Sequence, residues 1–148
     1  MVRWKFSSFE RLTKKELHQI FILRQRVFIV EQNCPYLDAD TKDLDSYHLM
    51  GFDKANNLIA YLRLVKAGIS YKEPSFGRIV IAPENRQIGL GRLLMEEGIR
   101  QSTNLLGSAT NRISAQSHLV PFYEKFGFVS TNKEYLEDDI PHTEMIRQ

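Results

Sequence analysis

The stretch Ile79-Val80-Ile81-Ala82-Pro83-Glu84-Asn85-Arg86-Gln87-Ile88-Gly89-Leu90-Gly91-Arg92 constrains the chain more than any other. It reads as a β-branched strand stopped by Pro83, a turn, a glycine-spaced loop and the start of a helix. A run such as Ile79-Val80-Ile81 suits a central strand buried on both faces. Gly89 and Gly91 let the backbone approach a ligand closely, and successive amides there can converge on anionic oxygens. The helix start adds unpaired N–H groups and the positive end of its dipole. Arg86 and Arg92 add charge-assisted bonds to phosphate. The segment would fit a pyrophosphate, but a bare Gly-x-Gly is equally compatible with a loop whose glycines only permit a tight turn. A Walker loop is excluded because Arg92 and Leu93 follow the last glycine. A Rossmann fingerprint is excluded because Leu94 stands where a third small residue belongs.

The rest of the chain supplies strands and helices in alternation. Val2, Trp4 and Phe6 alternate as in an edge strand over 2–9. Thr13-Lys14-Lys15-Glu16 is a capping box, and Leu17, Ile20, Phe21, Arg24 and Phe28 carry a helix to about Val30. Asn33-Cys34-Pro35 ends it. Runs 47–52 and 58–65 flank Asp53–Asn57 as a hairpin, and Phe76–Ala82 is a third strand. A helix is expected from Gly89 to Ser102, a strand over 111–117, and a short helix from Val120 to Phe126 with Gly127 as its C-cap. Phe128-Val129 and Thr143–Ile146 are the last strands. The order β-α-β-β-β-α-β-α-β-β is an α/β mixture with hairpins as well as crossovers.

Composition narrows the function classes. A chain of 148 residues without repeats or a Pro/Gly/Ser-rich linker is expected to be one domain over 1–148. The net charge is +2, and neither half carries the basic excess of a nucleic-acid binder. Cys34 stands alone, which excludes an internal disulfide and a four-cysteine zinc site. His18 and His48 have no partner at ligand spacing, so no metal is expected. The absence of a long apolar run predicts no membrane span and, with the single thiol, a cytoplasmic protein.

Arg86-Gln87-Ile88-Gly89-Leu90-Gly91, after a strand and opening a helix, resembles the coenzyme A loop of the GNAT acyltransferase superfamily. Ala115-Gln116 followed by Pro121-Phe122-Tyr123-Glu124-Lys125-Phe126-Gly127-Phe128 resembles that superfamily's strand–helix segment ending in Tyr-x-x-x-Gly-Phe. The ElaA-like branch is closer still. Its resemblance rests on Arg24 with Val27-Phe28, Glu31-Gln32, Cys34-Pro35-Tyr36, Gly77-Arg78, Ala115-Gln116 with His118, and Tyr135 with Glu137–His142 and Met145. Asp139 departs from the glycine usual there.

The resemblance implies a GNAT fold: a mixed, mostly antiparallel, twisted sheet with helices on both faces. It implies that strands 76–82 and 111–117 are parallel neighbours that splay apart. Acetyl-CoA would be the cosubstrate. Its pantetheine would lie along Ile79, Val80 and Ile81, and its pyrophosphate on Arg86, Gln87, Ile88, Gly89, Leu90, Gly91 and Arg92. A small-molecule or peptide amine would enter from the other side and attack the thioester directly, and a homodimer is plausible on the same ground. Arg24, Glu31, Gln116 and His142 are the implied acceptor contacts.

Attack by an amine of pKa about 10.4 at pH 7 first costs roughly 4.6 kcal/mol of deprotonation. The resemblance implies Tyr123 as the general acid for the departing thiolate and the Ile81 amide as the oxyanion donor. The strand 76–82 has no carboxylate, so the base falls to Glu31, His118 or His142. Cys34 is expected to be a packing residue, not an acyl carrier. Two acidic stretches, Asp38–Asp45 and Glu134–Asp139, are expected to be solvated, unless one lines the acceptor mouth and draws in a cationic amine. A CoA-binding module without turnover is the alternative to an enzyme.

Overall fold

The computed structural model describes residues 1–148. Its strands and helices follow the order expected from the sequence. Strands β1 (Arg3–Ser8), β2 (Ser46–Phe52), β3 (Leu58–Val65) and β4 (Ser75–Ile81) make an antiparallel sheet in that spatial order, with β1 at an edge. Asp53 shapes the β2–β3 hairpin: its carboxylate accepts from the amides of Ala55 and Asn57, both at 2.9 Å. Strands β5 (Asn111–Gln116), β6 (Val129–Glu137) and β7 (Ile140–Arg147) make a second antiparallel sheet in the order β5-β7-β6.

Helix α1 (Lys14–Arg24) opens on the capping box, with Thr13 accepting from the Glu16 amide at 3.0 Å and Glu16 from the Thr13 amide at 2.9 Å. Its path continues as expected, but Gln25–Glu31 is wound as a π-helix, with i→i−5 bonds from Gln32 to Val27 and from Cys34 to Ile29. Helix α2 (Leu90–Leu106) runs four residues past the expected Ser102 and ends on Gly107 at φ 73°. Helix α3 (Val120–Glu124) passes through a turn to Gly127 at φ 88°.

Every residue of β3 is buried, and its two faces carry different helices. On one, Leu62 packs so closely under Gly98 of α2 that an added Cβ would sit 3.0 Å from it. On the other, Arg24 of α1 lies 5.9 Å from the Tyr61 ring. One apolar core, with Ile20, Leu62, Leu94, Ile113 and Met145 among its members, joins both sheets. This is the twisted, mostly antiparallel arrangement with helices on both faces.

Two expectations are corrected. The β-branched run of β4 does not make a central strand buried on both faces. No ladder joins β4 to β5; they meet only at their N-terminal ends, where Arg112 N–H donates to Pro74 at 3.0 Å and Phe76 N–H to Asn111 Oδ1 at 3.0 Å. Beyond that point β4 has an open edge, and Ile79 and Ile81 are only half-buried. Strand β6 extends far past Phe128-Val129. It is a solvated edge strand with almost no apolar alternation, so its length leaves little trace in the sequence. The β6–β7 turn puts Asp138 at φ 51° and Asp139 at φ 63°, the left-handed pair that a two-residue hairpin loop requires. Aspartate adopts that region more readily than most residues, so the missing glycine leaves the turn intact.

Candidate active site

The loop after β4 is built to accept an anion. Gln87 (φ 68°) and Gly89 (φ 79°) are both left-handed, which turns successive amides toward one side. No amide from Gln87 to Arg92 donates to a backbone carbonyl or a side chain; the first intrahelical bond of α2 runs from Leu93 to Gly89. Six N–H groups are thus left for a ligand at the positive end of a 17-residue helix. The two loop arginines hold exposed carboxylates instead: Arg86 grips Glu31 at 2.6 and 2.9 Å, and Arg92 pairs with Glu96. Exposed bridges of this kind are weak, so either guanidinium is free to exchange its carboxylate for phosphate.

The open edge of β4 adjoins this loop. Ala82 N–H bonds back to Ile59 at 2.8 Å, so the pleat turns the peptide groups of Ile81 and Ile79 the other way, toward the splay. The Ile81 carbonyl accepts only a long 3.4 Å bond from Arg86 Nε. Val80 is different: it pairs with Tyr61, and its side chain is buried in the core, so its backbone is not presented to the splay.

On the far side of the splay lies a cleft of about 300 Å³, reached by Phe28 of the π-helix, Tyr71 of the β3–β4 loop, and the β6–β7 turn. Tyr123 lines it. Its hydroxyl has no hydrogen-bond partner in the protein, and burial raises its pKa above the usual tyrosine range. Gln116 and His142, cross-strand neighbours on β5 and β7, line the same cleft. His142 is buried; Nδ1 lies 2.7 Å from the Ile140 carbonyl and Nε2 3.4 Å from Glu137. The Ile140 bond assigns the proton of the neutral ring to Nδ1 and the lone pair to Nε2.

Other site expectations separate from this group. His118 is exposed, makes no cap bond and does not line the cleft. Glu31 belongs to the loop side, where the Arg86 hydrogen bond holds its carboxyl below the ordinary value. Neither is positioned as a base toward the cleft. Arg24 is not an acceptor contact: it is fully buried, with Nε 2.8 Å from Asp38, Nη1 2.7 Å from Asp43 and Nη2 2.7 Å from the Asp38 carbonyl.

Arg24 reveals what the first acidic stretch does. Thr41–Asp45 forms a 3₁₀ turn that carries Asp43 inward, and Asp38 is buried beside it. Arg63 of β3 reaches Asp40 at 2.7 Å and Asp43 at 2.9 Å; Arg78 of β4 reaches Asp38 at 2.9 Å and Asp40 at 3.4 Å. Three guanidinium groups thus face three carboxylates. Burial alone would raise the Asp43 pKa, but the bonds and charge of Arg24 and Arg63 outweigh it and the net shift is downward. The β3–β4 register slips between Tyr61 and Arg63, and Arg78 sits in that bulge at φ 51°, a strained conformation its ion pairs hold in place. The stretch is a brace for β4, neither a solvated face nor a cation funnel. Sequence reasoning missed Arg63 and weighed Arg78 only as part of a resemblance, because their partners lie 20 to 40 positions away.

The acetyltransferase (GNAT) domain family matches residues 17–148. The chain belongs to that family. Escherichia coli ElaA is 35% identical over 150 residues, covering 100% of this chain and 97% of its own. Its crystal structure superposes at a TM-score of 0.92 with full coverage of both chains. A crystal structure titled as an acyl-CoA N-acyltransferase from Pseudomonas aeruginosa superposes at 0.94, with 39% identity and full coverage of both. An aminoglycoside 6′-N-acetyltransferase complexed with coenzyme A shares the fold at a TM-score of 0.69 and 14% identity, covering 97% of this chain and 96% of its own.

Proposed function

We propose that the protein transfers an acyl group, acetyl in the simplest case, from acyl-CoA to a primary amine by direct attack on the thioester. The observation that carries this reading is continuity. Unpaired amides from Gln87 to Arg92 lead to the open peptide edge at Ile81 and Ile79, and that edge leads to a cleft holding the unpartnered Tyr123 hydroxyl. The residues fit the cosubstrate: amides for the pyrophosphate, a free strand edge for an amide-bearing chain.

The chemistry needs a lone pair on the amine, a place for negative charge on the carbonyl oxygen, and a proton for sulfur. His142 Nε2 is the nitrogen best placed to take the proton of an incoming ammonium, directly or through one water. The amine nitrogen then bonds to the carbonyl carbon, and the Ile81 amide on the open edge is available to the oxyanion. Collapse breaks the C–S bond, and Tyr123, kept protonated by burial, donates to the sulfur; the extra proton of the new amide returns to the tyrosinate, and His142 releases the ammonium's proton to solvent. Products are the N-acyl amine and free thiol.

Thiol release from acetyl-CoA with a panel of amines tests the reading. Tyr123→Phe should lower turnover about a hundredfold or more while acetyl-CoA affinity stays within about twofold. Unchanged turnover removes Tyr123 from the mechanism. Tight acetyl-CoA binding with no thiol release for any amine would instead mark a CoA-binding module.

A further inference from the structure

The charges around the acceptor cleft are sorted by position. Six basic or acidic side chains, one of them an imidazole, line it: Lys42, Arg63, Arg78, Glu137, Asp138 and His142. Arg63 and Arg78 are already matched by Asp38, Asp40 and Asp43. Lys42 makes no salt bridge, since those three carboxylates are taken up by arginines. Glu137 has only His142 near it, and Asp138 has no cation within bridging distance. The cleft therefore keeps one uncompensated cation and two uncompensated carboxylates.

These lie at opposite ends. Lys42 sits on the 3₁₀ turn that meets the end of β3, where Lys66 N–H bonds to Asp45 at 3.1 Å and Val65 pairs with Ser75 at the start of β4. Glu137 and Asp138 belong to the β6–β7 turn, beside His142 and the C-terminal Gln116 of β5. Ser75 and Ile79 are about 13 Å apart along β4 at the usual strand rise, and the side chains reach inward from both ends. The unpartnered hydroxyl of Tyr123, a residue otherwise buried, also lines the cleft, so the space is a polar pocket and not a packing gap.

We propose that the acceptor is an amine that also bears a carboxylate, an ω-amino acid or short peptide, with its carboxylate against Lys42 and its amine beside Glu137 and His142. This rests on the amine-acceptor reading above and adds the class of amine. A simple alkylamine would leave Lys42 facing an apolar tail, and a polyamine would place a second cation against it.

Calorimetric binding to the CoA-loaded protein tests the proposal without requiring turnover. The probes are 6-aminohexanoate and 1-aminohexane, of equal chain length. The wild type should bind the amino acid about tenfold more tightly or better. The gap should close in Lys42→Met and invert in Lys42→Glu; the Lys42 side chain makes no hydrogen bond whose loss would disturb folding. Equal affinities in the wild type, a gap that survives Lys42→Met, or no binding of either probe would overturn it. A Lys42-dependent gap without thiol release from acetyl-CoA would uphold the acceptor class and remove the transferase reading, so the two failures are distinct.

Discussion

The segment Asp38–Asp45 buries Asp38 and Asp43 against arginines of α1, β3 and β4, whereas Glu134–Asp139 holds its carboxylates out along the β6–β7 hairpin. Each stretch contributes four carboxylates. What separates them is the company the fold brings. Arg24, Arg63 and Arg78 converge on the first, and desolvation there makes each ion pair obligatory once formed. The second meets water, the His142 edge and the cleft mouth, so its field reaches an approaching ligand. One stretch fixes the shape of β4; the other puts negative charge at the cleft mouth.

The sharpest way to break this contrast is to neutralise one carboxylate from each. Asp43→Asn leaves Arg24 and Arg63 buried with too little negative charge and should cost about 3–5 kcal/mol of folding stability. Glu134→Gln, fully solvated, should stay within about 0.5 kcal/mol of the wild type. Urea unfolding measures both. Similar losses would mean the brace is not special.

Acid distinguishes the regions next. Asp40 and Asp43 have pKa values below their unfolded values, so the stability they add is fully present above about pH 4. It is lost as pH falls through the depressed folded values. His48 works at higher pH. Burial lowers its pKa, with Nδ1 2.6 Å from the Tyr61 hydroxyl and Nε2 3.0 Å from the Asp43 carbonyl. The unfolded chain therefore takes up that proton first, and stability should begin to decline as pH drops below about 6.5. Urea midpoints across pH 3–8 should show both limbs, the acid one shallower in Asp43→Asn and unaltered in Glu134→Gln.

Salt gives the smallest effect. Raising ionic strength should raise the KM of a cationic acceptor severalfold, because Glu137 and Asp138 are exposed. It should leave the urea midpoint nearly fixed, because the brace is buried. Stopped thiol-release assays and unfolding curves at matched salt read the two responses. A KM indifferent to salt would detach the hairpin from acceptor capture.

The same contrast explains how far the sequence could be read. Features closed within a few residues are legible: the Thr13–Glu16 box, the Asp53 turn, the Arg86–Gly91 loop, and the helix carrying Tyr123. The brace is not, because Arg24 and Asp43 are 19 residues apart and Arg78 meets Asp38 only through a strained bulge. An aspartate-rich run looks alike whether arginines or water surround it. The Ile79–Ile81 run likewise cannot tell a paired edge from one left open to a ligand. Gln116 and His142 do come together at the cleft, whereas Glu31, His118 and Arg24 do not, since proximity there depends on the β5–β7 register and not on residue type.

Acyl-CoA binding, and with it any transfer at the cleft, depends on the loop after β4. Titration calorimetry of acetyl-CoA against the wild type and Gly89→Val tests it most directly. At φ 79° a valine strains the turn although open space surrounds the position, whereas at Gly91 an added Cβ would lie 3.6 Å from the Phe122 ring, which makes that position a tighter and less selective control. Micromolar binding in the wild type, weakened about a hundredfold or more in a folded Gly89→Val protein, is the predicted result. Acetyl-CoA binding that is absent from the wild type, or equal in both proteins, would contradict the claim that these amides hold the cosubstrate.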